Sequence, residues 1–291
     1  MSITRFGIST HLYHNERLER DHLVEIAAHG FECVEVFATR THFDYHDGAA
    51  VRALAEWLDD TRLGLHSMHA PITASFANGD WGEAFSNAAA DEERRLKAVS
   101  ETEAALAVAQ TIPFKYLVVH LGLPDAMKPA SGDNSREAAR RSIEAMHAAA
   151  QRVGVELALE VIPNSLSSPD ALVSLVENDL DGLKVGICMD VGHAHILGDL
   201  NDAIESCSGH ILTTHLHDNK GRSDDHLAPG EGNIHWPATV MELQKVGYDG
   251  AWMFEVANTS TPKAVLEKAE KARARFAGML DFNFSEHQED R

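Results

Sequence analysis

The sequence predicts a single (β/α)8 (TIM) barrel, and three observations carry that reading. Apolar or β-branched runs suited to buried parallel strands recur eight times, helical patterns lie between them, and no Pro-, Gly- or Ser-rich linker interrupts the alternation. The runs fall at Arg5–Thr10, Phe31–Ala38, Leu63–His69, Phe114–His120, Val155–Val161, Lys184–Asp190, Ile211–His217 and Ala251–Val256. Helical patterns are clearest at Ala49–Arg62, Asp91–Gln110, Ser135–Val153 and Pro262–Met279. Eight units favour a closed barrel over an open, doubly wound sheet. A length of 291 residues suits one domain spanning 1–291, since such barrels commonly run to about 250 residues.

Composition narrows the function classes. No stretch of about 18 consecutive apolar residues occurs, so no membrane span is expected. The N-terminus lacks the basic start and apolar run of a signal peptide, and a cytoplasmic location follows as the expectation. Cys33, Cys188 and Cys207 are too few and too scattered for a disulfide framework or a thiolate zinc site. A net charge of −20 repels nucleic acid at long range, which favours a small-molecule substrate and leaves the oligomeric state open. The chain holds 18 histidines, and histidine is the commonest metal ligand, so their placement matters.

The predicted strands end on ionisable groups. The third closes on His69, the fourth on His120, the fifth on Glu160 and the sixth on Asp190, followed by Val-Gly-His193. The seventh closes on His215-Leu-His217-Asp218 and leads to Asp224-Asp-His226, and the eighth closes on Glu255. In a barrel these ends converge on the C-terminal face, where the charges would crowd in a partly desolvated mouth. Left uncompensated, each would cost several kcal/mol; divalent cations resolve the conflict. Imidazole and carboxylate without thiolate suit Zn²⁺, Mn²⁺ or Fe²⁺.

These residues resemble the xylose isomerase-like barrel superfamily, which includes endonuclease IV (AP endonuclease family 2) and many sugar isomerases and epimerases. The resemblance covers nearly the whole chain and is most specific at Asp190-Val-Gly-His193, His215-Leu-His217-Asp218, and Asp224-Asp-His226 before Gly230-Glu-Gly-Asn-Ile. It implies two site types. The isomerases and epimerases hold one Mn²⁺ or Mg²⁺ through Glu160, Asp190, His215 and Glu255. The endonuclease IV type adds His69, His120, His193, Asp224 and His226 to hold three Zn²⁺, and all of these are present. In that arrangement Glu160 bridges two ions.

The full ligand set makes the leading expectation a multinuclear zinc hydrolase of small phosphoesters, attacking with metal-bound hydroxide. The alternative is a sugar or sugar-phosphate isomerase or epimerase in which Glu160 and Glu255 carry protons. An abasic-site DNA endonuclease ranks below both. The Ala70–Asn87 stretch has no Lys or Arg and offers Ile72, Phe76, Trp81 and Phe85 as an apolar lid or pocket wall. Top-face loops supply only Arg40, Lys128, Lys220 and Arg222 as cations. Candidate substrate contacts are His11, Arg40, His217, Lys220 and Arg222. Asp218 is expected to support a neighbouring ligand, and Glu35 faces inward if its strand register is as drawn.

Overall fold

The computed structural model describes residues 5–77 and 79–289, the side chains of 282–289 excepted. Ten strands are present in chain order: β1 (Phe6–Ser9), β2 (Cys33–Phe37), β3 (Gly64–His69), β4 (Phe76–Ala77), β5 (Asp80–Trp81), β6 (Tyr116–Val119), β7 (Glu156–Glu160), β8 (Val185–Asp190), β9 (Ile211–His215) and β10 (Trp252–Phe254). Eight of them pair in parallel in the order β10-β1-β2-β3-β6-β7-β8-β9, and a parallel bridge between Leu216 and Phe254 joins the two ends. The barrel is thereby closed, as the alternation of strand and helix predicts. The strands are short and almost wholly buried, which explains why they read as continuous apolar runs.

The surrounding helices are α1 (Arg20–Ala28), α2 (Gly48–Thr61), α3 (Glu92–Leu106), α4 (Arg136–Val153), α5 (Pro169–Ser174), α6 (Val191–Leu197), α7 (Leu200–Ser206), α8 (Trp236–Lys245) and α9 (Pro262–Glu289). Side chains of Asp47, Asp91, Ser135, Ser168, Asp190 and Asp199 accept first-turn backbone N–H groups, so the start of each of these helices is written in its cap residue. The pattern expected over Asp91–Gln110 ends as a regular helix at Leu106 and finishes as a 3₁₀ turn over Ala107–Gln110. Buried side chains such as Leu54, Ile143, Leu243 and Phe276 join outward-facing strand residues such as Ile8, Val34, Leu117 and Phe254 in one continuous core. Among the described residues, no helix is long and apolar enough to cross a membrane.

Inside the barrel the filling is layered. Tyr116, Val118, Ala158 and Cys188 form an inner apolar cluster, and Cys33, Ala251 and Met253 form another. Period-two alternation puts Val118 on the same side as His120, Ala158 as Glu160, and Cys188 as Asp190. The polar strand ends therefore stand on an apolar floor.

Candidate metal centre

Ten side chains form three groups of candidate ligands at the strand ends, two of which share Glu160. They are Glu160, Asp190, His215 and Glu255; His69, His120 and Glu160; and His193, His217, Asp224 and His226, with the ligand atoms of each group within 4.8 Å of one another. Glu160 sits at the junction. Its Oε2 is 3.1 Å from His69 Nε2 and 3.0 Å from His120 Nε2, while its Oε1 is 3.3 Å from His215 Nδ1. Glu255 Oε2 approaches His215 Nδ1 from another strand at 3.2 Å. Asp224 Oδ2 lies 3.0 Å from His193 Nε2 and 3.2 Å from His226 Nε2.

Local folding aims these groups. Asp190 ends β8 and caps α6, its Oδ1 accepting the His193 N–H at 2.6 Å, so strand passes to helix without a loop and both side chains share the mouth. Three imidazoles face backbone carbonyls through Nδ1: His69 to Ala70 (2.8 Å), His193 to Val161 (3.0 Å) and His226 to Glu255 (3.0 Å). With Nδ1 so engaged, each Nε2 faces a carboxylate-lined space, where its lone pair would be free for a cation once the ring is neutral.

The electrostatics fit a divalent cation. Glu160, Asp190 and Glu255 are fully or nearly fully buried, and their ion-pair partners among the described residues are all imidazoles. Burial alone would raise the Glu160 carboxyl, but the imidazoles of His120 and His215 outweigh it and hold the group well below the usual carboxylate range. Glu255 is likewise held down by His215 against the effect of burial. In return, burial opposes protonation of His193 and His215 but is overridden: the Asp190 charge raises His193 well above the ordinary value, and Cys188, Glu255 and Glu35 do so for His215. The cluster thus gathers protons to balance its carboxylates, which is the charge that a divalent ion supplies when it displaces them.

His217 lies deeper than a substrate contact would require. It is fully buried, its Nε2 is 3.0 Å from Asp190 Oδ1, and it stacks on His226 with ring centroids 4.0 Å apart. Asp218 holds the following loop together instead of touching a candidate ligand, accepting from Asn219 N, Gly230 N, Ile234 N and Trp236 Nε1. Gly232 is needed there, because a Cβ would stand 2.2 Å from both Asp218 Oδ1 and Asn219 O. His11 is buried, with its ring centroid 4.9 Å from that of His226, so it lines the mouth. Arg40 pairs with Asp44 at 3.6 Å on its own loop, and Lys220 and Arg222 edge a surface depression with Ser223, Asp225, Gly232 and Asn233.

The stretch after β3 folds as the β4–β5 hairpin, beside the mouth. Its Trp81 lies nearly parallel to His14 (centroids 5.4 Å apart), which stacks on His11 at 4.6 Å, and Phe76 packs edge-on to His14 at 4.7 Å. Sequence reasoning did not single out His14, which follows the inward end of β1 by a 3₁₀ turn (Thr10–Tyr13) that no apolar period announces. It also left Glu35 unassigned. Glu35 is fully buried and bonded to His215 on the side of β2 that also carries Cys33, and a register shift that skips His66 of β3 sets it opposite Ser67, a pairing that leaves no trace in the alternation of residues.

The fold and the family agree. A family model described as xylose isomerase-like TIM barrel matches residues 23–277. An uncharacterised protein of Methanocaldococcus jannaschii, MJ1311, is 28% identical over 265 residues, covering 87% of this chain and 84% of that one. The L-ribulose-5-phosphate 3-epimerase UlaE of Salmonella paratyphi A is 24% identical over 264 residues, covering 87% and 88%. A D-tagatose 3-epimerase-like protein superposes with a TM-score of 0.78 at 24% identity, covering 97% of this chain and 100% of that one. The IolI protein with a bound zinc atom superposes with a TM-score of 0.73 at 17% identity, covering 94% and 98%. These relatives overturn the expectation of a phosphoester hydrolase: the curated relatives with a named activity are L-ribulose-5-phosphate 3-epimerases, and sugar epimerases recur among the structural neighbours. The physical reason is that a ligand set fixes where cations can sit, whereas the reaction depends on what the rest of the pocket admits. The chain belongs to the xylose isomerase-like TIM barrel family, an enzyme family with structural neighbours among sugar epimerases and AP endonuclease family 2.

Proposed function

We propose that the chain is a sugar or sugar-phosphate epimerase or isomerase that uses one divalent cation at Glu160, Asp190, His215 and Glu255. The observation that carries this reading is the facing pair of glutamates. Glu160 from β7 and Glu255 from the end of β10 reach the same His215 Nδ1, at 3.3 Å and 3.2 Å, from opposite sides of the β8 and β9 ends. Three carboxylates and one imidazole form an oxygen-rich set that suits Mn²⁺ or Mg²⁺. When bound, the cation polarises a substrate carbonyl oxygen and so acidifies the adjacent C–H.

The chain's own residues then supply the proton transfers. Both glutamates are held ionised and are ready to accept a proton. One carboxylate oxygen takes the proton from the carbon beside the carbonyl, and the C–H electron pair moves onto the carbonyl oxygen. Inversion requires the other glutamate to have taken up a proton from solvent, which it gives to the opposite face of the same carbon, while return of the first proton to the neighbouring carbon, with a hydroxyl proton passing between the two oxygens, isomerises the sugar. His69 and His120 hold Glu160 Oε2, leaving Oε1 on the side of the pair. His193, whose Nε2 lies beside Asp224 Oδ2, would meet a substrate oxygen through that nitrogen, and the β4–β5 hairpin lies beside the mouth.

The test is solvent exchange. Ketoses and ketose 5-phosphates are incubated with the Mn²⁺-loaded protein in D₂O, and the protons next to the carbonyl are followed by NMR. Deuterium entering that position, with an epimer or aldose appearing, is the expected result. A panel of pentuloses and hexuloses, free and phosphorylated, showing no exchange above the metal-only control would sink the reading.

A further inference from the structure

The His215 imidazole is held differently from three others at the mouth. His69, His193 and His226 turn Nδ1 to a backbone carbonyl and present Nε2, whereas His215 turns Nδ1 toward Glu160, Asp190 and Glu255. Its Nε2 points into the barrel, where both oxygens of Glu35 lie 3.1 Å away. Glu35 and Ser67 are register partners on β2 and β3, and the Ser67 hydroxyl donates to Glu35 Oε2 at 2.8 Å. Glu35 belongs to none of the candidate ligand groups and is fully buried, and its Oε1 makes no hydrogen bond. A buried carboxylate is costly to keep unless donors answer it, and beside the Ser67 hydroxyl the second donor is His215 Nε2–H, 3.1 Å from both oxygens.

We infer that Glu35 is a positioning residue that fixes the His215 tautomer, so that Nε2 carries the hydrogen and Nδ1 keeps its lone pair for the cation. This rests on the cation reading of the preceding subsection. Without the carboxylate below, a hydrogen on Nδ1 would find ready acceptors in Glu160 and Glu255, and the ring would become a donor inside the site instead of a ligand. Among the described residues, the hydrogen bonds of His215 go to side chains and none to a backbone carbonyl of the kind that serves His69, His193 and His226, so the task falls to a side chain.

The test measures Co²⁺ binding by the metal-stripped full chain, through the visible d–d spectrum and the Kd, beside the Tm of the metal-free form. Glu35→Gln keeps the shape but can present its NH₂ to Nε2 and so favour the wrong tautomer. The expected result is a Kd weakened about 10- to 100-fold with an altered Co²⁺ spectrum, the range typical of residues that orient metal ligands. Glu35→Gln placed in a His215→Ala background should then cost nothing further. A Glu35→Gln protein binding Co²⁺ as the parent does overturns the proposal, as does an equal loss in the His215→Ala background. If Glu35→Gln does not fold, Ser67→Ala decides: a several-fold weaker Kd supports the proposal and an unchanged one overturns it. A parent chain that takes up no Co²⁺ would overturn the cation reading as well, and that outcome is distinct from a defect confined to the variants.

Discussion

Gly192 makes room for His217. A Cβ built on Gly192 would stand 2.1 Å from His217 Cε1 and 2.4 Å from its Nδ1, inside any permitted contact. The imidazole is fully buried and holds Asp190 through Nε2, so it has no open space into which to retreat. Gly192→Ala is therefore expected to destabilise the protein by about 1–3 kcal/mol through overpacking. The loss should be read in urea unfolding of the metal-free form. His217→Ala in the same background should recover part of it by vacating the space. An unchanged midpoint in Gly192→Ala would mean that the ring moves freely.

Glu160 and Glu255 are assigned the proton transfers, so their amide variants separate chemistry from assembly. Glu160→Gln and Glu255→Gln should each lower solvent exchange by roughly 10²- to 10⁴-fold, the usual weight of a positioned acid or base. Far-UV circular dichroism should show the barrel retained. Either variant exchanging at the parent rate would remove that carboxylate from the reaction.

The barrel was legible in the sequence because most barrel strands are buried on both faces and so read as uninterrupted apolar runs, as at Tyr116–Val119 and Val185–Asp190. The strand-terminal candidates from His69 to Glu255 were legible for the same reason: an ionisable residue ending such a run is conspicuous. Two-residue strands such as Phe76–Ala77 and Asp80–Trp81 carry no period and read only as part of an apolar lid or pocket wall. α6 was hidden because its cap, Asp190, is also the last residue of a strand. The destination of Asp218 was out of reach, since its partners Gly230, Ile234 and Trp236 meet it only after the loop has closed. Reaction type was misread for a different reason, in that every added imidazole was counted toward hydrolysis although imidazoles also bind and orient sugars.

Metal removal should weaken the fold, because the buried carboxylates then rely on protonated histidines. An ion that binds only the native state stabilises it by about 2.7 kcal/mol at a free concentration of 100 Kd. For a domain of this size each kcal/mol moves Tm by roughly 2–4 °C, so chelation should lower Tm by several degrees, and Mn²⁺ should restore it. Calorimetry with and without EDTA checks this. A Tm indifferent to chelator and to added Mn²⁺ would speak against a resident cation.

Trp81 is nearly half exposed although it is the largest apolar side chain of the β4–β5 hairpin, and it rests on His14 beside the mouth. A ring held flat and left open on one side suits the apolar face of a sugar. Trp81→Ala should raise KM several-fold and leave the Co²⁺ Kd and kcat close to the parent values. Steady-state kinetics with the substrate found by exchange would show this. A fall in kcat with KM unchanged would place the hairpin's contribution in the chemical step instead.

Acid stability should report on His42, which lies outside the cluster. Burial lowers its pKa from 6.5 to about 4, and its bonds suit the neutral ring: Nδ1–H donates to Glu16 O at 2.6 Å, and Nε2 accepts from Thr10 Oγ1 at 3.1 Å. That Thr10 hydroxyl oxygen in turn accepts the Phe37 N–H at 3.0 Å, which ties the turn after β1 to β2. Above pH 6.5 the ring is neutral in both folded and unfolded chains and contributes no pH dependence. As pH falls from 6.5 toward 4 the unfolded chain takes up a proton that the folded one refuses, so stability drops, by about 3 kcal/mol at completion. Below pH 4 both forms are protonated and the contribution levels off. Other groups titrate in the same window, so the quantity to measure is the difference in unfolding free energy between the parent and His42→Gln, whose amide keeps one donor and one acceptor. That difference should shrink by a few kcal/mol between pH 7 and pH 4. A difference constant with pH would mean that His42 is protonated in the folded protein with its two hydrogen bonds rearranged.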